Sequence, residues 1–266
     1  MLPSIELFLL TFLGLTAHAT PLAAPSQVHH VERDAGLNSF LSILLANLPA
    51  INEPLTEATG LITAFDETLG TLTGAQETYN ELGGSCKEWT VIFARGTAEP
   101  GNCVSASAQV GVLVGPPLFD ALGDKVGPLS LTIQGVNNYS ASVEGYLAGG
   151  DPTGSSEMAR QIEAAKSQCP DTKMIASGYS QGCQIVHNAV SELEATTASW
   201  INSVLLFGDP MDGQALANVP ASRVFTSCHS GDDICNDGIL IGPAHLTYAL
   251  NATAAANFAA MRGEEA

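Results

Sequence analysis

The chain has 266 residues, of which 45% are hydrophobic and 14% charged, which excludes a largely disordered protein. Its formal charge is −18 and it carries nine Lys and Arg in all. Such a surface repels phosphate backbones and offers an anionic membrane no basic run, so nucleic acid is disfavoured and a neutral substrate or an uncharged polymer surface is favoured.

The chain opens on a short apolar stretch, Leu7 to Leu15, too short to span a bilayer, followed by Ala17-His18-Ala19. Small residues at that spacing suit signal-peptidase cleavage, although Glu6 is present and no Lys or Arg precedes the run. Residues 1–19 are therefore expected to be a signal peptide and the mature protein to be extracellular, without stable membrane insertion. The six cysteines fit export, because an even count with no CxxC pair favours disulfides over zinc. The sequons at Asn138 and Asn251 fit it too.

Residues 20–84 begin Pro- and Ala-rich and then become helical in pattern. Leu37, Phe40, Leu41, Leu44, Leu45 and Leu48 recur at helical spacing, as do Leu61, Ile62, Phe65 and Leu69, and Pro49 and Pro54 break the runs apart. A helical hairpin with a large apolar face is expected here. It either packs on the main domain or forms a lid over a site.

Residues 85–266 alternate strand and helix. Strands are expected at Trp89–Ala94, Leu129–Gln134, Lys173–Ser177, Ile201–Phe207 and Arg223–Thr226. Helices are expected near Ser105–Leu122, Ser155–Lys166, Gln181–Glu192 and Leu246–Met261. That alternation predicts an α/β fold of the α/β-hydrolase kind: a central, mostly parallel sheet of about five strands with helices on both faces, preceded by the N-terminal helical extension.

Gly178-Tyr179-Ser180-Gln181-Gly182 has the form G-x-S-x-G, after one predicted strand and at the start of a predicted helix. This is the placement a nucleophile elbow requires, and it makes Ser180 the candidate nucleophile. In such folds the acid and then the base follow the serine in the chain. His187 lies seven residues on along the same helix, roughly 10 Å away, too far to serve. His229 sits in a tight loop beside Cys228, and His245, on a late loop, is the leading base. Asp209, at the end of a strand, and Asp232 or Asp233, between Cys228 and Cys235, are the candidate acids, the latter two favoured because a carboxylate must be held to orient an imidazole. One oxyanion donor is expected from the backbone N–H of Gln181 and another from Thr97 in the loop Arg95 to Asn102. No HExxH or Cys/His ligand cluster occurs, so no cofactor or metal is expected.

Taken together, VIFARGTAEPGN, IQGVNNY, CPDTKMIASGYSQG, LLFGDP, CHSGDDIC and PAHLTY resemble the fungal cutinases, small esterases of the α/β-hydrolase fold, from about Ser85 to the C-terminus. The resemblance implies Ser180 as nucleophile, Asp232 as acid, His245 as base, and Thr97 and Gln181 at the oxyanion positions. It also implies bridges Cys86–Cys169 and Cys228–Cys235. Cys103 and Cys183 fall outside the family's two-bridge pattern and are expected to pair with each other. The implied activity is ester hydrolysis through an acyl-enzyme by a monomer acting on a polymeric or lipid-like ester. Ile239, Leu240, Ile241 and Leu246, around His245, would either grip acyl chains or anchor the loop. An acetylxylan esterase, a lipase and a non-catalytic secreted binding protein are the alternatives.

Overall fold

The computed structural model describes residues 26–100 and 109–265, with side chains from residue 36 onward. The expected signal segment lies outside these residues. The chain runs α1 (Ser26–Asn47), β1 (Glu53–Pro54), α2 (Leu55–Thr73), β2 (Trp89–Ala94), α3 (Gly115–Val126), β3 (Leu131–Gly135), α4 (Val143–Leu147) and α5 (Pro152–Gln168). It continues with β4 (Lys173–Tyr179), α6 (Gln181–Glu192), α7 (Ala195–Ala198), β5 (Ser203–Phe207), β6 (Val224–Ser227), β7 (Leu240–Ile241) and α8 (Ala252–Glu264).

Five strands form one parallel sheet in the order β3-β2-β4-β5-β6. All six residues of β2, WTVIFA, are buried, as a parallel strand covered on both faces requires. The side chains sort by parity. Val91, Phe93, Ile175, Leu205 and Phe207 join one core with α3 and α8. Ile92, Ala94, Met174, Ala176, Val204 and Leu206 join the other with α5 and α6. The expected fold is thus the observed one. Because β2 passes outward to β3 while β4 passes the other way to β5, the sheet has its topological switch point between the carboxyl ends of β2 and β4, where ligands of open α/β sheets bind.

The extension forms the expected hairpin. Pro49 lies in the connection, Pro54 sits at the N-cap of α2, and Gly74 ends α2 in the left-handed conformation, its N–H bonded to the Gly70 carbonyl at 2.9 Å. Leu37, Phe40, Leu44, Leu55, Ile62, Phe65 and Leu69 are all buried in the same core as the α3–α8 face of the sheet. Each such side chain contributes about 1.5–3 kcal/mol relative to exposure. A two-residue antiparallel ladder, Glu53 opposite Ile241 and Pro54 opposite Leu240, ties the start of the hairpin to the segment before His245; this contact has no sequence signal.

Elsewhere the elements shift at their ends. The helix expected from Ser105 is seen from Gly115, with Pro116-Pro117 in its first turn, where a missing N–H breaks no helical bond. The last helix is preceded by a tighter 3₁₀ segment, His245–Asn251, kinked at Thr247. α4, not expected, is one turn capped by the Ser142 side chain, which accepts from Gly145 N–H. Among the described residues no helix is long and apolar enough to cross a membrane. Asn138 is exposed, whereas Asn251 is half-buried, its Oδ1 2.6 Å from His229 Nε2.

Cys86–Cys169 and Cys228–Cys235 are bridged, with Cα atoms 5.4 and 6.0 Å apart. The expected Cys103–Cys183 bridge is not found. Cys183 is a free, fully buried thiol, its Sγ 3.2 Å from the Gly178 carbonyl and 3.4 Å from the Phe207 carbonyl. Three residues into α6 its side chain turns onto the ends of β4 and β5. Cys103 lies outside the described residues.

Candidate active site

Ser180 stands between β4 and α6 with φ 56° and ψ −123°, a strained conformation for a residue with a Cβ. Its backbone N–H is anchored to the Phe207 carbonyl at 2.9 Å. The flanking glycines are required by contact: a Cβ on Gly178 would come within 2.3 Å of the Gly182 carbonyl oxygen, and one on Gly182 within 2.0 Å of the Ala94 carbonyl oxygen. Only bare backbone lets α6 start this close to β2. The turn leaves Ser180 at the N-terminus of α6, where free N–H groups and the helix dipole favour negative charge.

His245 Nδ1 lies 2.8 Å from Asp232 Oδ2, and both side chains are almost wholly enclosed. An ionised carboxylate can only accept, so Nδ1 carries the hydrogen and Nε2 is left as an acceptor. Burial pushes the Asp232 carboxyl up, but the hydrogen bond and charge of His245, the Tyr248 hydroxyl and the Ile234 N–H outweigh it and hold the group below its ordinary value. The Cys228–Cys235 bridge closes the loop that carries it.

Two tyrosines hold this pair from behind. The Tyr248 hydroxyl donates to Asp232 Oδ2 at 2.6 Å and accepts from His229 N–H at 2.9 Å. Tyr179 stacks on the His245 ring, centroids 5.1 Å apart, and donates its hydroxyl to the His245 carbonyl at 2.9 Å. Gly208 closes the floor, for a Cβ there would meet the imidazole at 3.0 Å and the Tyr248 ring at 2.6 Å. The serine is hung from residue 207 and the imidazole rests on residue 208, so the end of β5 registers one against the other.

The other sequence candidates are engaged elsewhere. Asp209 pairs with His187 at 2.9 Å and not with His245. Asp233 accepts from the Ile239 and Leu240 N–H groups, each at 3.0 Å. His229 lies between the Ala244 carbonyl and Asn251. Of the four apolar residues around His245, Ile239 and Leu240 are 44% and 39% exposed and form a rim, while Ile241 and Leu246 are buried anchors.

Thr97 meets Gln181 across the switch point. The Gln181 side-chain amide donates to Thr97 Oγ1 at 2.9 Å and to the Ser142 carbonyl at 2.6 Å. With one lone pair of Thr97 Oγ1 so occupied, its own O–H is free to point elsewhere. Helix α2 reaches both loops that border Ser180: Thr63 donates its hydroxyl to the Ala98 carbonyl at 2.8 Å, and Leu55 N–H bonds the Ile239 carbonyl at 2.7 Å. Ser180 and His245 are each 2% exposed.

Tyr248, Tyr179, Asp66 and Glu99 were not singled out in the sequence. Tyr248 follows His245 by three residues, the spacing at which one helical turn returns to the same side, and this was its available signal.

A family model for cutinases matches residues 85–262. The chain is 43% identical over 251 residues to a cutinase of Hypocrea jecorina, covering 94% of this chain and 95% of that one. It is 45% identical over 203 residues to cutinase pbc1 of Pyrenopeziza brassicae, covering 76% and 95%. Its structure is similar to a Trichoderma reesei cutinase solved in complex with a phosphonate inhibitor, with a TM-score of 0.69, 38% identity, and 90% and 99% of the two chains covered. An acetylxylan esterase shares the fold, at a TM-score of 0.52 and 20% identity over 67% of this chain and all of that one.

Proposed function

The chain belongs to the cutinase family, and from that premise we propose that it is a secreted serine carboxylic-ester hydrolase acting on aliphatic or polymeric esters such as cutin. The observation that carries the residue roles is the enclosed His245–Asp232 pair, 2.8 Å apart, set beside the strained turn of Ser180.

In this reading His245 Nε2 takes the proton of Ser180 Oγ as the oxygen attacks the ester carbonyl. The tetrahedral oxyanion is held by the Gln181 N–H and by Thr97, and Asp232 stabilises the imidazolium. His245 then gives the proton to the leaving alcohol as the C–O bond breaks. Water, deprotonated by His245, cleaves the acyl-enzyme and restores Ser180. No step calls for a metal or cofactor.

Helix α2 acts as a cover over the site, and Ile239 and Leu240 form the lip on which an acyl chain lies. The apolar lip favours an aliphatic acyl group over acetyl. The test is hydrolysis of p-nitrophenyl esters from acetate to palmitate by the secreted protein, with Ser180→Ala alongside. Butyrate or longer is expected to be preferred and the variant to be inactive, after which cutin is assayed. Cleavage of acetate alone would move the reading to acetylxylan esterase. An active Ser180→Ala would sink the assignment of the nucleophile.

A further inference from the structure

Two carboxyl groups with no part in the triad meet behind the oxyanion loop. Glu99, in that loop, is 3% exposed, and Asp66, on the apolar face of α2, is fully buried. Glu99 Oε2 accepts from Gly96 N–H at 2.7 Å and Oε1 from Leu113 N–H at 3.0 Å, so one side chain ties the start of the loop that carries Thr97 to the segment before α3. Its carboxyl lies flat on Gly111, where a Cβ would come within 2.2 Å of it. Asp66 Oδ1 accepts from Val112 N–H at 3.2 Å, the amide next to the one that Glu99 holds, and its Oδ2 is buried with no hydrogen-bond partner among the described residues.

We propose that Glu99 is a positioning residue for the oxyanion loop and that one proton shared between Asp66 and Glu99 latches α2 shut over the site. A buried carboxylate oxygen that no donor reaches is costly, and a proton on Asp66 Oδ2 removes that cost and supplies a donor toward Glu99. Local charge agrees. Among the described residues the one buried cation facing the pair is Arg95, which gives its own hydrogen bonds to the Glu99, Tyr139 and Ser140 carbonyls and thus offsets one negative charge through space. The other titratable groups facing the pair add no positive charge: Glu77 from the segment after α2, Tyr179 from β4 and Tyr139 from the loop after β3. Arg95 as cation, Glu99 as anion and Asp66 as neutral acid is the arrangement that leaves no buried charge unbalanced.

Burial raises both groups; on Glu99 the Gly96 and Leu113 N–H groups and the Arg95 charge work against it, while Asp66 is held well above its usual range. When α2 lifts, Asp66 enters water, regains an ordinary value near 4 and releases the proton, roughly. The shut form therefore binds one proton more than the open form from about pH 4 up to the raised value of Asp66. Over that window its stability relative to the open form falls about tenfold per pH unit as pH rises. A cover read from the fold alone carries no such dependence. The inference rests on Thr97 acting as an oxyanion donor and on α2 acting as the cover.

Hydrogen exchange of α2 amides, corrected for intrinsic rates, tests the latch in the wild-type protein between pH 5 and 7. Protection at residues 58–69 is expected to fall about tenfold per unit while α6, as the control, stays level. Asp66→Asn keeps a donor to Glu99 but has no proton to release, so its protection should be flat with pH. Level protection in the wild type overturns the latch whatever the variants do. Infrared difference spectra give a second signature, a protonated carboxyl at pH 6 that Asp66→Asn lacks. For positioning, Glu99→Gln can accept only one of its two N–H groups through its single oxygen. It should lower kcat on p-nitrophenyl butyrate at least tenfold with KM within about threefold, well below its melting temperature. An unchanged kcat would reduce Glu99 to a structural role. If instead Ser180→Ala remains active, the site reading fails, and the exchange result still stands or falls by itself.

Discussion

Replacing Thr97 with Val tests the oxyanion site with little change of shape. The substitution exchanges the hydroxyl for a methyl group at a position that is 4% exposed and keeps the backbone N–H. Two effects follow and differ in size. Gln181 Nε2 loses the Thr97 acceptor at 2.9 Å but keeps the Ser142 carbonyl at 2.6 Å. One such partly unsatisfied donor costs about 1 kcal/mol of stability, and a domain of this size then loses about 2–4 °C in melting temperature. Loss of an oxyanion donor costs about 3 kcal/mol in the transition state alone, which is roughly a hundredfold in kcat. The assay is steady-state hydrolysis of p-nitrophenyl butyrate at 25 °C, far below melting. Expected are a kcat lower by about 100-fold, a KM within about twofold, and recovery to within about threefold in Thr97→Ser. A Thr97→Val enzyme with kcat within about threefold of wild type would show that the hydroxyl does not face the oxyanion, and the backbone N–H groups would have to carry the charge by themselves.

Asp232→Asn should lower kcat by about 10⁴, since an amide cannot hold the imidazole in the same tautomer. Its folded-state carboxyl is depressed, so its stabilising effect is present above the unfolded value near 4 and is lost as pH falls through the folded one; the gap in melting temperature between wild type and variant should close below about pH 4. A gap that stays constant down to pH 3 by calorimetry would contradict this. Gly182→Ala drives a Cβ against the Ala94 carbonyl oxygen and should cost about 1–3 kcal/mol or more by urea denaturation, with kcat falling as the Gln181 N–H shifts; a cost under about 0.5 kcal/mol would refute the contact. Cys183 should resist alkylation in the native protein, where burial also raises its thiol well above the usual range. It should react after denaturation without reductant, and recovering it by mass spectrometry in a disulfide with Cys103 would overturn the free-thiol assignment.

Much of this was legible in the sequence because periodicity and turn chemistry are local. WTVIFA and KMIAS declared buried strands, the G-x-S-x-G turn between strand and helix located Ser180, and Pro49 with Pro54 cut the hairpin at its observed break. Chemistry favoured the stapled loop of Asp232 and Asp233 over Asp209, and the resemblance implied Asp232; the fold adds that Asp209 is paired with His187 and Asp232 with His245. The Cys103–Cys183 expectation failed because counting cysteines ignores direction: position three of α6 faces the sheet. The carboxyl pair was readable in part. In LITAFDETLG, Asp66 sits four residues after Ile62 and three before Leu69, an acid set in the apolar stripe of a helix. That pattern announces a buried partner but cannot name it, since Glu99 lies across the fold in another segment. The β1–β7 ladder is two residues long and joins segments far apart in the chain, too short for any periodic signal.

The hairpin and the α3–α8 side of the sheet have one interior between them, and this governs how the enzyme could be trimmed. The family match begins at residue 85, which makes that point an inviting place to cut for a smaller catalyst with an open site. Removing the preceding residues would strip Phe40, Leu44, Ile62, Phe65 and Leu69 from the side chains they pack on, and uncover apolar surface on the remaining domain that would drive self-association. A minimal version therefore needs polar replacements on the newly bared face, and also a substitute for the neutral acid that Asp66 now supplies beside Glu99.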